Sequence, residues 1–231
     1  MERSLRIDDG EVPLQEYRLA LGGREWRILH TDAVLSHLDE QRFLREQKAR
    51  LPYGVVLWPA AIALAHDVAS RPGAFGGARV LELGAGTGLP GIVAATLGAR
   101  VTQTDRQPLA LSVARRNGTL NGATGIAYQQ RDWTAWDDAT RYEWILGSDI
   151  LYAETTHTDL RRIFAANLAP GGRVLLSDPF RPASIRLLEA MEADGWTIAL
   201  SKWSVGEDVA PRPIGVFELT PPLSGRTIDP D

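Results

Sequence analysis

One stretch constrains the fold more than any other: Val80-Leu81-Glu82-Leu83-Gly84-Ala85-Gly86-Thr87-Gly88-Leu89-Pro90-Gly91. An apolar run that ends in glycines at every second position predicts a buried strand turning sharply off its sheet. Glycine enters left-handed backbone angles freely and leaves no Cβ in the way of a ligand. Leu89, Ile92, Val93 and Leu97 then recur at helical spacing before Gly98, so strand, turn and helix form one βα unit.

The alternation continues along the chain. Residues 100–104 read as strand, 108–120 as helix, 125–130 as strand, 142–147 as strand, 157–168 as helix, 172–177 as strand and 182–194 as helix. Strands 196–203 and 214–219 follow with no helix between them, so they must pair antiparallel and reverse one strand near the sheet's far edge. Upstream, 17–21 and 25–29 flank Gly22-Gly23-Arg24 and read as a hairpin; 32–49 reads as helix. Pro59 opens a further helix whose Ala61, Leu64, Ala65 and Val68 share a face, ending near Pro72. A chain of 231 residues accommodates one such α/β domain. The expected division is an N-terminal appendage over 1–52, the α/β domain over 53–220 and a mobile tail over 221–231.

Composition enters by exclusion. With no cysteine, thiolate nucleophiles, disulfides and Cys-ligated metals are ruled out. The first residues lack the apolar run of a secretory signal, and no apolar stretch approaches a membrane span, so a cytoplasmic protein without membrane attachment is expected. The net charge of −4 offers no general positive field for phosphates, and no nucleic-acid partner is expected. Arg42, Arg45, Lys48 and Arg50 interleave with Glu40 and Glu46 as on a solvated helix face. His30, His37, His66 and His157 show no metal-ligand spacing, and no metal is expected.

Gly86, Gly88 and Gly91 also satisfy G-x-G-x-x-G, which keeps a dinucleotide-binding domain in view; a tightly packed turn without a ligand is the plainer alternative. Glu82, two residues before the first glycine, suits a cationic ligand better than a pyrophosphate. Asp105 closes the second strand about twenty residues past the glycine turn, where a carboxylate can accept both hydroxyls of a ribose; it also suits a helix N-cap before Gln107 and Pro108. Asp132, ending the third strand, is placed to accept from an adenine amino group and Trp133 to cover the ring, although an Asp before a Trp is also ordinary in a loop.

Glu82 with Gly84, Gly86 and Gly88, then Asp105, then Asp132 resembles the signature of class I S-adenosylmethionine-dependent methyltransferases over roughly residues 55–219. More narrowly, Trp58-Pro59, Gly88-Leu89-Pro90-Gly91 and Asp149-Ile150-Leu151-Tyr152 are similar to the seven-strand protein lysine methyltransferases. The resemblance implies a doubly wound Rossmann-like sheet of strand order 3-2-1-4-5-7-6 with strand 7 antiparallel, and S-adenosylmethionine as cofactor. It further implies that Glu82 faces the methionine end, that Asp105 holds the ribose, and that Asp149 and Tyr152 line a lysine entrance. Local capping and rim packing are the alternatives for that last pair, and a core plug is the alternative to a cofactor-pocket wall for Trp58. Asp178-Pro179-Phe180 is superficially similar to the motif of amino methyltransferases acting on nucleic acids or glutamine, but lacks the second proline and follows the fifth strand.

The implied chemistry is in-line attack by a neutral nucleophile on a sulfonium methyl, with positioning supplying most of the catalysis. A lysine, ordinarily protonated below about pH 10.4, loses its proton more easily in an aromatic, desolvated channel and less easily beside a carboxylate. Asp149 is therefore assigned to orienting the amine and Tyr152 to shielding it. The acceptor is read as a protein lysine, with a small-molecule N- or O-methyltransferase of the same fold as the alternative and a dinucleotide-binding oxidoreductase or inactive binding module as the third reading; oligomeric state is not legible.

Overall fold

A computed structural model describes residues 4–7, 10–34, 53–205 and 212–222. Its centre is a seven-stranded sheet built from β7 (Arg79–Leu83), β8 (Arg100–Asp105), β9 (Ile126–Gln130), β10 (Tyr142–Ser148), β11 (Leu168–Asp178), β12 (Thr197–Val205) and β13 (Arg212–Thr220). Across the sheet the order is β9-β8-β7-β10-β11-β13-β12, which is 3-2-1-4-5-7-6 when only these strands are counted in chain order. Every pairing from β9 to β11 is parallel, whereas β13 runs antiparallel to both β11 and β12. The reversal follows from the missing crossover helix between the last two strands.

Helices α1 (Pro59–Ala69), α2 (Pro72–Phe75), α3 (Leu89–Thr96), α4 (Pro108–Leu120), α5 (His157–Asn167) and α6 (Pro182–Ala193) cover the sheet. Alternate strand residues divide between its two faces. Val80, Trp144, Leu146, Leu175 and Val216 pack with α1 and α3, while Leu81, Leu83, Ile145, Leu176 and Phe217 pack with α5 and α6. Because both faces are covered, the central strands carry apolar residues in succession rather than in alternation with polar ones.

Upstream of the sheet lie β1 (Ser4–Ile7), β2 (Gly10–Pro13), β3 (Gln15–Leu21), β4 (Arg24–His30), β5 (Asp32–Ala33) and β6 (Val56–Leu57). Gly22 and Gly23, both at positive φ, make the two-residue turn of the β3–β4 hairpin, and Arg24 belongs to the strand opposite Leu21. Asp32 and Ala33, expected to open a helix, instead pair with Val56 and Leu57. Residues 35–49 of that expected helix, with Arg42, Arg45 and Lys48, and Arg50 beyond it lie outside the described residues. Leu19, Leu21, Trp26 and Ile28 of the hairpin share one apolar cluster with α1 and α3, so the hairpin closes the main core. Its outer strand β4 is met by side chains. Asn117 Oδ1 accepts from Leu29 N at 2.7 Å and its Nδ2 donates to Leu29 O at 3.0 Å; Asn121 repeats this with Arg27, one strand step and one helical turn away. Two amides on one face of α4 thus stand in for a neighbouring strand.

Candidate active site

Parallel strands present their carboxyl ends to one edge of the sheet, and the expected site residues converge there. Gly84, Gly86 and Gly88 all adopt positive φ, at 61°, 54° and 81°. Only glycine takes three such angles in five residues without strain. Gly84 and Gly86 keep a partly open face, but Gly88 is buried. A Cβ at Gly88 would stand 2.9 Å from that of Ala114, so this glycine serves the packing of α4 rather than a ligand. The turn is held by Ala85 N donating to Thr104 O at 2.9 Å and Gly88 N donating to Ala85 O at 2.7 Å.

Glu82 has a different place from the one expected. It is 1% exposed, with Oε2 accepting from Gln103 Nε2 at 2.6 Å and from the backbone N–H of Gly91, while Oε1 has no partner. Gln103, the register partner of Glu82, also donates to Gly88 O at 2.8 Å. Burial pushes the Glu82 carboxyl up to about 8, against the opposing pull of the Gln103 and Gly91 hydrogen bonds. The carboxyl braces the loop from beneath, through Gln103 and Gly91, instead of standing at the open edge of the turn. Gly91 is explained by the same contact, since a Cβ there would run into the Glu82 carboxyl and Gln103.

Asp105 does stand at the ligand edge. Its Oδ2 accepts from Gly86 N at 3.1 Å and its Oδ1 from Gln107 N at 2.9 Å, so it ties the glycine turn to the start of α4. Burial raises its pKa and these backbone donors partly offset the rise. Of the two places offered by the sequence, the carboxylate beside the glycine loop is the one realised: the N-cap of α4 is Gln107, which makes no side-chain cap hydrogen bond, and Asp105 only receives its N–H. Gly54 lies over the same spot, its carbonyl 3.2 Å from a Cβ position at Gly86.

On the next strand end, Trp133 reaches the loop, with Cζ2 3.3 Å from a Cβ position at Gly84. Asp132 does not share that role in the structure. It is exposed, and its Oδ1 accepts from Thr134 N at 2.9 Å and Thr134 Oγ1 at 2.8 Å, which holds its pKa low and caps the turn Trp133–Ala135. Trp58, half-buried at the N-cap of α1, packs on Val34 and Val56.

Asp149 follows β10 and adopts φ 52°, unusual for a residue with a side chain; its N–H donates to Ser177 O at 2.8 Å. The carboxylate is gripped at two points by Arg181, at 3.0 Å from Nε and 3.0 Å from Nη2. Arg181 is itself placed by buried Asp178, whose Oδ1 accepts from Arg181 N at 2.7 Å and whose Oδ2 accepts from Ser184 Oγ at 2.6 Å. Burial pushes Asp178 up to about 6. Between Asp149 and Tyr152, Ile150 Cγ2 lies 3.0 Å from a Cβ position at Gly84, so the D-x-x-Y segment begins directly beside the glycine turn. Tyr152 is 60% exposed at the rim.

Sequence reading missed Gln103, Arg181, Asn117 and Gly54. Gln103 is the one with a readable signal: a polar residue inside a strand, opposite an acid on the adjacent strand of a βαβ unit. Two positive-φ glycines with an open face, Gly84 and Gly86, a carboxylate bonded to the turn and an indole against it fit the adenosine half of S-adenosylmethionine. Together with the mixed sheet, they define a class I S-adenosylmethionine-dependent methyltransferase.

Comparison with known proteins narrows the class. The model of the lysine methyltransferase family matches residues 38–184. Protein N-lysine methyltransferase METTL21A of Xenopus tropicalis is 36% identical over 160 residues, covering 67% of this chain and 74% of the relative. Histone-arginine methyltransferase METTL23 of Xenopus laevis is 34% identical over 154 residues, covering 63% and 64%. Among solved structures, the ribosomal protein L11 methylase of Lactobacillus delbrueckii subsp. bulgaricus superposes with a TM-score of 0.55 at 25% identity, covering 70% of this chain and 78% of that one. The chain belongs to the lysine methyltransferase family. No helix among the described residues is long and apolar enough to cross a membrane.

Proposed function

We propose that this enzyme transfers a methyl group from S-adenosylmethionine to the side-chain amine of a lysine presented by a protein. The observation that carries the reading is the junction of the D-x-x-Y segment with the glycine turn: Ile150 and Trp133 both press on Gly84, so Asp149 and Tyr152 open beside the cofactor loop. S-adenosylmethionine supplies an electrophilic methyl; the chain's own residues hold and orient. Asp105 accepts from the ribose hydroxyls with the lone pairs left by Gly86 and Gln107, and the Trp133 indole lies along the adenine. Asp149 accepts a hydrogen bond from the incoming amine.

A bare carboxylate there would also trap the amine as ammonium, which cannot attack. The Arg181 grip shares the Asp149 charge and lessens that penalty. Tyr152, exposed in the absence of an acceptor, offers an aromatic wall for the apolar stem of a lysine. METTL21A, by its name an N-lysine methyltransferase of proteins, supports the acceptor class.

A second reading has one observation in its favour. Asp149 already binds a guanidinium, that of Arg181, and one relative is named as acting on histone arginine. Cell extract incubated with the enzyme and methyl-labelled S-adenosylmethionine separates the readings. Label is expected in a discrete protease-sensitive band that yields methyl-lysine on hydrolysis. Methyl-arginine would establish the second reading, and label confined to the small-molecule fraction would overturn both.

A further inference from the structure

The face of α4 formed by Ala110, Ala114, Asn117 and Asn121 recurs at helical spacing, and every member meets either the cofactor loop region or the N-terminal hairpin. Ala110 backs Gly54, Ala114 backs Gly88, and Asn121 pairs with Arg27. Asn117 alone meets both sides. Its carboxamide holds Leu29 of the hairpin from two directions, and the same Nδ2 donates to Thr87 O of the glycine turn at 2.9 Å. The side chain is fully buried, and both its Oδ1 and its Nδ2 are in use.

The turn needs such an anchor. The three glycines that shape it have the widest conformational freedom of any residue, so its ordered form costs more entropy than an ordinary loop. Gln103 fixes the turn at Gly88 O from beneath, Asp105 fixes it at Gly86 N, and Asn117 fixes it at Thr87 O from the side of α4. Only the last of these three ties leads on into the hairpin.

We infer that Asn117 is a positioning residue of the cofactor loop, and that through it order in the β3–β4 hairpin and affinity for S-adenosylmethionine are two readings of one equilibrium. If the loop is held by Asn117 and Asn117 is held by Leu29, whatever firms the hairpin firms the loop. By linkage, whatever firms the loop firms the hairpin.

Asn121 supplies the control, because it makes the same strand-like contacts with Arg27 but none with the loop. Titration calorimetry on the full chain with S-adenosylmethionine should find N117A weakened about tenfold, the worth of one buried hydrogen bond. N121A should lose clearly less than N117A, since its lost bonds go to Arg27 and Asn117 O and none reaches the loop. Hydrogen exchange on the wild type, with and without S-adenosylhomocysteine, should show added protection in residues 24–30 as well as 84–88. That added protection at 24–30 should vanish in N117A. Equal losses in the two variants, or unchanged affinity in folded N117A, would overturn the inference. Should N117A not fold, the wild-type exchange decides: protection gained at 84–88 without any at 24–30 refutes the coupling.

Discussion

The buried carboxyl beneath the glycine turn gives the protein a stability that is lost toward alkaline pH. Glu82 binds its proton up to about 8 in the folded chain, against 4.5 as the ordinary glutamate value. The folded state therefore holds a proton that the unfolded state has released, and stability falls as pH rises through the interval between the two. Each pH unit of difference corresponds to about 1.4 kcal/mol, so the full span amounts to about 5 kcal/mol, reached above pH 8. Between pH 6.5 and pH 9 the expected fall is about 2 kcal/mol, the remainder having been lost at lower pH.

E82Q isolates this effect, because an amide oxygen still accepts from Gln103 and Gly91 while its NH2 occupies the place of the unpartnered Oε1. Denaturant melts of cofactor-free protein at half-unit pH steps measure it. Wild type should lose stability relative to E82Q across the window, with E82Q crossing above it on the alkaline side; His30 and His66, whose pKa values burial lowers, add stability to both proteins as pH rises and cancel in the difference. Asp178, pushed up only to about 6, has completed most of its own contribution before this window. An E82Q profile with the wild-type slope would refute the account of Glu82 as a neutral brace.

Three further outcomes are expected. D105A should weaken S-adenosylmethionine binding by about 1.5–3 kcal/mol by calorimetry, with no heat from NAD in either protein; unchanged affinity in the folded variant would remove the ribose assignment. D149N and Y152F should keep cofactor affinity and lower turnover on the methyl acceptor, whereas loss of cofactor affinity in both would move these residues into the cradle. G91A should lower thermal stability by about 1–3 kcal/mol through the collision with Glu82 and Gln103, and an unaltered melting curve would contradict that packing.

Much of the fold was legible because punctuation and periodicity agreed. Pro108–Leu120 is bounded by proline and polar residues where the apolar period stops, and the structure places its ends where the sequence does. The two-residue strands β5 and β6 carry no period at all; their pairing depends on contacts between segments more than twenty residues apart. The orientation of Glu82 was open to sequence reasoning in one respect. In a strand it must share a side with Val80 and oppose Leu81 and Leu83, which aims it at the helix layer rather than past the strand end. Its partner Gly91, the third glycine of the dinucleotide-like pattern, then reads as space for a carboxyl. Arg181 was not open in the same way: its grip on Asp149 joins the ends of two neighbouring strands through the register of β10 and β11, which no local pattern encodes.

The reversed strand β13 has a consequence for how such an enzyme diversifies. Since β12 runs with the parallel strands, the chain leaves it at Val205 and re-enters the sheet at Arg212 on the ligand edge. After β7, β8, β10 and β11 the loop on that edge must also deliver the chain into a helix of set length, which limits how far it can change. The join between β12 and β13 carries no such duty, and both strands are held along their whole length by nine register pairs. Changes at the ends of those two strands leave the glycine turn, its brace and its anchors untouched.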